Sequence, residues 1–171
     1  MGRLTLITGP ARSGKSQRAV AQAGDWGSDT VFVATYLPDT GDAEMLARVS
    51  RHRAGRPAWR TLEAPADVAA SLAALLPAPS GVILDCLTLW ISARFADSDA
   101  AIAAKWSAQL SAFAAAPWPT VIVSNELGWG LVPADAGSRR FRDLAGSLAQ
   151  LTSAAAAEVW LVIAGCPLRL K

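Results

Sequence analysis

The sequence predicts an α/β fold in which a mostly parallel sheet carries helices on both faces. The apolar run Leu4–Thr8 leads directly into a glycine-rich turn, and residues 15–23 after the turn have helical character. Residues 30–35 form a short, continuous, β-branched run that is typical of a buried strand. Because strand, helix and strand in this order join parallel strands, a parallel sheet is expected. With 171 residues, 52% of them hydrophobic, the chain is expected to form one domain, residues 1–171.

The glycine-rich turn has the spacing of a phosphate-binding loop, which is glycine, four residues, then glycine, lysine and serine. Gly9 and Gly14 let the backbone turn so that its N–H groups face phosphate oxygens at a helix N-terminus. Lys15 is expected to reach the β- and γ-phosphates and the Ser16 hydroxyl to ligate Mg²⁺. The nucleotide-binding residues expected in this phosphate loop are Gly9, Pro10, Ala11, Arg12, Ser13, Gly14, Lys15 and Ser16. A turn without a ligand is the alternative, but both flanks and all fixed positions agree with the motif.

Capping residues and glycine or proline breakers divide the rest of the chain into alternating elements, with Gly24, Gly55 and Pro77 each ending a helix. Helices are expected over residues 15–23, 43–53, 65–76, 87–95, 100–116 and 138–157. Further strands are expected over residues 81–85, 120–124 and 158–163, after a short extended segment at 57–63. The strand over residues 158–163 is expected to be the last.

The strand over residues 81–85 ends in a carboxylate. Proteins with a phosphate loop place an aspartate at the carboxyl end of a strand beside Mg²⁺, so Asp85 is the second expected metal ligand together with Ser16. An ordinary N-cap for the following helix is the alternative interpretation of Asp85. Residues 125–133 combine polar groups and glycines at the end of another parallel strand, which indicates substrate contact or a moving lid, with a plain connecting loop as the alternative.

His52 is the only histidine in the sequence and follows Arg48 by one helical turn. Arginine forks suit phosphates, and nearby cations disfavour the imidazolium form, which keeps an imidazole neutral and nucleophilic near neutral pH. The arginines of this segment are Arg48, Arg51, Arg53, Arg56 and Arg60. A histidine that caps a helix end and a merely solvated basic face are the alternatives.

Charge and composition exclude several classes of function. The 16 basic and 14 acidic residues are interleaved and give a net charge of +2, so no nucleic-acid partner is expected. The five largely apolar positions after Met1-Gly2-Arg3 are too few for a signal-peptide core, and no apolar stretch approaches the length of a membrane span, so a cytoplasmic location is expected. Cys86 and Cys166 lack metal-site spacing and are expected to be buried thiols. Trp118 and Trp129 are expected to be exposed, at a subunit interface or against a large planar ligand.

The residues collectively resemble one known family along almost the whole chain. Its motifs are Gly-x-Ala-Arg-Ser-Gly-Lys-Ser at 9–16, Ala34-Thr35, Glu44-Met45, Arg48-Val49, His52-Arg53, Gly55-Arg56-Pro57, Trp59-Arg60-Thr61, Asp85-Cys86-Leu87-Thr88, Asn125-Glu126-Leu127-Gly128, Val132-Pro133, Phe141 to Gly146 and Glu158-Val159-Trp160. In this order they resemble the bifunctional adenosylcobinamide kinase and adenosylcobinamide-phosphate guanylyltransferase of cobalamin assembly.

The resemblance implies a RecA-like fold, a homotrimer and two reactions. In the first, a nucleoside triphosphate, ATP or GTP, phosphorylates adenosylcobinamide. In the second, GMP passes from GTP through a guanylyl-histidine to adenosylcobinamide phosphate and pyrophosphate is released. The resemblance assigns the nucleophile to His52. Besides the phosphate loop, it assigns nucleotide contacts to Ala34, Thr35, Tyr36, Arg53, Ala54, Gly55, Arg56, Glu63 and Asp85.

Two departures from the family pattern and two rival functions accompany this resemblance. Pro10 replaces a small residue, which removes one N–H donor from the loop. In Ile91-Ser92-Ala93 the last two residues stand where Thr-Asn is expected. A generic phosphate-loop kinase would use Lys15 and Asp85 in the same way but form no covalent adduct. A non-catalytic nucleotide switch would bind nucleotide in order to reposition residues 125–133.

Overall fold

The computed structural model describes residues 2–36 and 57–171, which form a seven-stranded sheet flanked by helices. The strands are β1 (Leu4–Thr8), β2 (Thr30–Ala34), β3 (Arg60–Glu63), β4 (Gly81–Asp85), β5 (Thr120–Val123), β6 (Glu158–Ile163) and β7 (Cys166–Arg169). The helices are α1 (Lys15–Gln22), α2 (Val68–Ala73), α3 (Leu87–Ser92), α4 (Asp99–Ala115) and α5 (Ala136–Ala155). The helix expected over residues 43–53 lies outside the described residues.

The strand order is β3-β2-β4-β5-β1-β6-β7. The first six strands of this order pair in parallel, and only β7 runs antiparallel to its neighbour β6. The expected mostly parallel sheet is therefore confirmed. The strand β1, which leads into the phosphate loop, lies between β5 and β6, and β5 separates it from β4.

Alternating strand residues supply two hydrophobic layers, one on each face of the sheet. Leu6 and Leu84 belong to the larger cluster, which α2, α3, α4 and α5 cover. Ile7 and Ile83, the adjacent residues in the sequence, belong to the smaller cluster on the other face. Ala19 of α1 and its C-cap Ala23 pack in this cluster. Helices on both faces are thus confirmed, and parallel strands buried on both sides explain why the strand sequences are almost continuously apolar.

The expectation that residues 158–163 form the last strand is wrong, because β7 follows. Ala164 and Gly165 join β6 to β7 in a two-residue turn in which both residues have positive φ, 51° and 81°. Such primed turns match the twist of antiparallel strands. Pro167 lies within β7, where it is tolerated because β7 is an edge strand.

The helix ends differ from the expected ones at several positions, and two of the N-terminal differences have a local cause. The helix expected over 65–76 covers only Val68–Ala73, because the Asp67 side chain accepts a hydrogen bond from the Ala70 amide and caps the helix there. The helix expected over 138–157 begins two residues earlier, at Ala136, for the same reason: the Asp135 carboxylate accepts from the Ser138 amide. A side-chain cap, rather than an apolar pattern, fixes both N-termini.

Candidate nucleotide-binding site

The candidate site lies along the carboxyl edge of the parallel strands. Strand pairing places Glu63, Ala34, Asp85, Val123 and Ile7 side by side across the sheet, one residue from each of five strands. The phosphate loop, residues 35–36 and residues 124–126 therefore leave the sheet on the same edge. Sequence reasoning assigned site residues to several of these segments separately, and the sheet brings them together.

The backbone of the phosphate loop requires glycine at two positions. Gly9 has a φ of 151°, and a Cβ there would lie 2.2 Å from the carbonyl oxygen of Val162, which is a backbone atom and cannot move aside. Gly14 is the N-cap of α1 and has a φ of 98°, in the region that favours glycine. Arg12, between them, also has a positive φ of 57°. These positive φ values set a tight path from the end of β1 to the first residue of α1.

Neighbouring strands hold this loop from two sides. The amide of Gly165, in the turn between β6 and β7, donates to the carbonyl oxygen of Ser13 at 2.8 Å. The amide of Glu126, just after β5, donates to the carbonyl oxygen of Gly9 at 2.9 Å. The protein itself thus fixes the loop before any nucleotide arrives, and this preorganisation lowers the entropy cost of binding.

Two side chains of the loop are suited to phosphate. Lys15, the first residue of α1, is buried and donates from Nζ to the carbonyl oxygen of Pro10 at 2.7 Å, so its ammonium lies back over the loop. The Ser13 hydroxyl is buried and has no hydrogen-bond partner among the described residues. A buried hydroxyl without a partner is costly unless a ligand oxygen satisfies it. An ammonium and an unpaired hydroxyl in a cradle of amides fit a polyphosphate.

Thr35 joins the ends of β2 and β4 and so positions Asp85. The Thr35 amide donates to the Asp85 carbonyl oxygen at 3.1 Å. Its hydroxyl accepts from the Cys86 amide at 2.8 Å and donates to the Cys86 carbonyl oxygen at 2.6 Å. Asp85 is half-buried at the end of its strand, so its carboxylate stands on a backbone that is fixed on both sides.

The thiol of Cys86, next to Asp85, is a structural group. Burial, helped by the charge of Asp85 and opposed by nearby Lys15, raises the pKa of Cys86 to about 11. The thiol is therefore neutral near neutral pH and is not a nucleophile. The expectation of a buried thiol is confirmed for Cys86 and wrong for Cys166, which lies exposed on edge strand β7.

Asn125 and Thr88 form a series of polar contacts that ends at Cys86, next to Asp85. Asn125 donates from Nδ2 to the Thr88 hydroxyl at 2.8 Å, and that hydroxyl lies 3.1 Å from the Cys86 sulfur. This links the end of β5 to the start of α3. Reasoning on site residues from the sequence did not single out Thr88. The signal that could have found it is a polar residue three positions after the aspartate that ends a strand.

The residues expected to hold the metal, Ser16 and Asp85, both offer oxygen donors. Among residues 2–36 and 57–171, no group of three or more histidine, cysteine, aspartate and glutamate side chains could hold a metal. Mg²⁺ needs no such cage, since it is usually held by one or two protein oxygens together with substrate phosphates and water. A serine hydroxyl and a carboxylate at the phosphate-loop edge fit that pattern.

Not all expected site residues lie close to the loop. Glu63 is on β3, four strand positions from β1, a separation of about 19 Å at ordinary strand spacing. Ala34 and Asp85 lie between them. The expected residues His52, Arg53, Ala54, Gly55 and Arg56 lie outside the described residues, as do Arg48 and Arg51.

Comparison with known proteins identifies the family. Residues 5–170 match the family described as cobinamide kinase / cobinamide phosphate guanyltransferase. The chain belongs to this family. It is 40% identical over 168 residues to the bifunctional adenosylcobalamin biosynthesis protein CobP of Pseudomonas aeruginosa, with 97% of this chain and 96% of the relative covered. It is 36% identical over 183 residues to the bifunctional adenosylcobalamin biosynthesis protein CobU of Escherichia coli, with 98% and 99% covered. The corresponding protein of Salmonella typhimurium is 35% identical, with the same coverage.

Membership of this cobinamide kinase / guanyltransferase family confirms the resemblance that the sequence motifs indicated. The relatives compared above are named as bifunctional proteins. The matched region, residues 5–170, includes every candidate site residue. None of the helices in the described parts of the chain is long and apolar enough to cross a membrane.

Proposed function

We propose that this protein phosphorylates adenosylcobinamide with a nucleoside triphosphate, ATP or GTP, and then transfers GMP from GTP to the adenosylcobinamide phosphate. The observation that carries the proposal is a preformed phosphate loop, with the Lys15 ammonium and the unpaired Ser13 hydroxyl, in a chain that matches the cobinamide kinase / guanyltransferase family over residues 5–170.

In the proposed kinase step, the aminopropanol hydroxyl of adenosylcobinamide attacks the γ-phosphorus of the triphosphate and a nucleoside diphosphate leaves. Negative charge on the transferring phosphoryl oxygens is stabilised by the loop amides and by Lys15. The loop is fixed by the amides of Gly165 and Glu126, so its donors need little reorganisation during the reaction. Ser16 and Asp85 would hold Mg²⁺, which neutralises phosphate charge when bound.

In the proposed guanylyl step, a ring nitrogen of His52 attacks the α-phosphorus of GTP, a P–N bond forms and pyrophosphate leaves. A phosphate oxygen of adenosylcobinamide phosphate then attacks the same phosphorus, and the P–N bond breaks to return the free imidazole. Two displacements replace one difficult transfer between two anions. His52 enters through the family resemblance and the basic composition of residues 48–60.

The first experiment is incubation with α-labelled GTP and Mg²⁺, followed by denaturation. We expect label on the protein in a bond that is stable to alkali and labile to acid, and no label on His52→Ala. γ-Labelled GTP is the control, since its label leaves with pyrophosphate. As His52 is the only histidine, a phosphoramidate that survives in His52→Ala would contradict this role.

The kinase step is tested separately, with γ-labelled ATP or GTP and adenosylcobinamide as acceptor. We expect labelled corrinoid from the wild type and at least part of that activity from His52→Ala, because phosphorylation does not pass through the imidazole. Kinase activity without any protein adduct would favour a generic phosphate-loop kinase. Tight GTP binding with neither activity would favour a nucleotide switch.

The proposed Mg²⁺ ligands and the proposed homotrimer need their own measurements. Asp85→Asn keeps the size of the side chain and removes its charge, so the Mg²⁺ concentration for half-maximal kinase activity should rise. An unchanged Mg²⁺ requirement would remove Asp85 from the ligand set. Light scattering should give three times the mass of one chain, and a monomeric mass would contradict the homotrimer.

A further inference from the structure

The loop after β5 exposes an unusual run of apolar side chains. Leu127, Trp129, Leu131 and Val132 are exposed by 39%, 60%, 96% and 68%. Single exposed apolar side chains are normal on protein surfaces, but four within six residues form a patch of the kind that marks a binding surface. We call residues 127–132 the apolar loop.

The apolar loop begins at the phosphate loop. Its strand, β5, lies between β1 and β4, and the amide of Glu126 donates to the carbonyl oxygen of Gly9 at 2.9 Å. The loop therefore leaves the sheet between the phosphate loop and the strand that carries Asp85. An acceptor that approaches the γ-phosphate between these two groups has to pass beside this loop.

Both ends of the apolar loop are anchored. At its start, the Glu126 carboxylate accepts from the Gly128 amide at 2.9 Å, and Asn125 donates to Thr88. After it, Arg139 donates to the carbonyl oxygens of Pro133 and Ala134 at 2.9 and 2.6 Å. Packing of the fold thus fixes the ends and leaves the apolar side chains between them facing solvent.

The chemistry of the loop favours a large ligand with apolar surface over a nucleotide. Glu126 is the only ionisable residue in 125–133, and its carboxylate is held by Gly128, so the segment offers no cation to a phosphate. The indole of Trp129 presents a large flat face, and aromatic faces stack on flat conjugated rings. Glycines flank Trp129 on both sides, and Trp129 is 60% exposed, so its indole is open to solvent.

We propose that Trp129 and Leu131 bind the corrin macrocycle of the acceptor and determine specificity for corrinoids. This inference rests on the proposed function, since that function supplies the macrocyclic acceptor. The phosphate loop holds the triphosphate, while the apolar loop holds the face of the ring that carries the reacting arm. Glu126, the residue before the apolar loop, donates to Gly9 of the phosphate loop, so one connected backbone positions the acceptor and the phosphoryl group.

The test measures corrinoid and nucleotide binding separately, by equilibrium dialysis with adenosylcobinamide and with GTP. Trp129→Ala and Leu131→Ala should each weaken adenosylcobinamide binding by about tenfold, because each removes a large apolar contact. GTP affinity should change by less than about twofold, since neither side chain belongs to the phosphate loop. Trp129→Phe, which keeps an aromatic face, should lie between Trp129→Ala and the wild type.

Leu76→Ala is the matched control. Leu76 is 91% exposed, close to the exposure of Leu131, but it precedes β4 and so lies towards the opposite edge of the sheet. Its replacement should leave the adenosylcobinamide dissociation constant unchanged. If Leu76→Ala also weakened adenosylcobinamide binding tenfold, the loss of any exposed leucine would have this effect. That result would contradict the assignment of the apolar loop to the corrinoid.

Three outcomes would overturn the inference. Wild-type corrinoid affinity in both Trp129→Ala and Leu131→Ala would remove the apolar loop from the acceptor site. A change in oligomeric mass of these variants by light scattering would assign the loop to contact with a second copy of the chain. A wild-type protein that binds GTP but no adenosylcobinamide would contradict the proposed function itself. Equal adenosylcobinamide affinity in the wild type and in both variants would contradict only the role of the loop.

Discussion

The amide of Gly165 donates a hydrogen bond to the carbonyl oxygen of Ser13, 2.8 Å away. The turn between β6 and β7 therefore supports the middle of the phosphate loop. A Cβ on Gly14 would lie 3.3 Å from the Cα of Gly165, so the two backbones also pack closely. An edge hairpin that the sequence did not predict is part of the frame on which nucleotide binding depends.

Gly165→Ala should destabilise the protein by about 1 kcal/mol and lower its affinity for nucleotide, because alanine is strained at a φ of 81°. The added Cβ meets nothing within 4 Å, so the effect isolates backbone strain. Gly146→Ala is the control: Gly146 lies inside α5, also with open space, and alanine there should stabilise by about 1 kcal/mol. Urea unfolding measures the stability of each variant, and GTP titration measures its nucleotide affinity. Equal stability and equal GTP affinity of the two variants would contradict the role of backbone strain at Gly165.

Lys15→Met should reduce both phosphoryl and guanylyl transfer by about 100-fold or more, because the charged donor that the phosphate loop supplies to the phosphates is lost. Methionine retains most of the buried aliphatic volume, so folding should persist. Lys105→Met is the matched control, since Lys105 forms only a surface ion pair with Asp97 at 2.7 Å. Steady-state rates of both reactions provide the measurement. Near wild-type rates in Lys15→Met would exclude the lysine from catalysis.

Thr35→Val should lower the free energy of unfolding by about 2 to 3 kcal/mol. Valine has the same shape but leaves the buried amide and carbonyl of Cys86 without the Thr35 hydroxyl. Thr35→Ser keeps the hydroxyl, so its free energy of unfolding should fall less than that of Thr35→Val. Chemical denaturation of the three proteins checks the order, and equal stability of the valine and serine variants would show that the hydroxyl contributes little.

Alkaline pH should destabilise the protein through Cys86. The folded pKa of its thiol is about 11, above the ordinary value of 9.0, so above pH 9 the unfolded chain loses a proton that the folded chain retains. The free energy of unfolding should fall as pH rises from about 9 to 11, by roughly 2 to 3 kcal/mol from this group. Cys86→Ser should lack this contribution. Unfolding curves of both proteins across this range test the sign, and identical pH slopes would contradict it.

Thiol reagents should distinguish the two cysteines. Cys166 is exposed and should react in the native protein, whereas buried Cys86 should react only after denaturation. Titration should therefore count one thiol in buffer and two in denaturant. Cys166→Ser should count none in buffer, and rapid reaction of that variant would show that Cys86 is accessible.

Local features of the chain predicted much of the fold. Five strands of the parallel sheet were recognised because each is a short, mainly apolar run, a pattern that burial on both faces imposes. The sixth, β3, is Arg-Thr-Leu-Glu at the edge of the sheet and was expected only as an extended segment. β7 was missed because Cys166–Arg169 is short, exposed and contains a proline, which argues against a strand unless the strand lies at an edge. Whether a strand is at an edge depends on the order of all the others.

The candidate site, like the fold, was predicted only in part from the sequence. The spacing from Gly9 to Ser16 predicts phosphate binding, because the cradle is built from consecutive backbone amides. Asp85 was found as an acidic strand end. The support for these residues, from Thr35, Gly165 and Glu126, was not found, since each contact joins residues far apart in the chain.

The sequence by itself determined the phosphate loop, the parallel strands and the family, because these depend on spacing within short segments and on motifs in a fixed order. The tertiary structure alone decided that β5 stands between β1 and β4, and that Ala34, Asp85 and Val123 lie in one row at the carboxyl edge. It also decided that the apolar loop starts against Gly9. Strand order and register follow from how the buried faces of all elements pack together, and no local pattern specifies that arrangement.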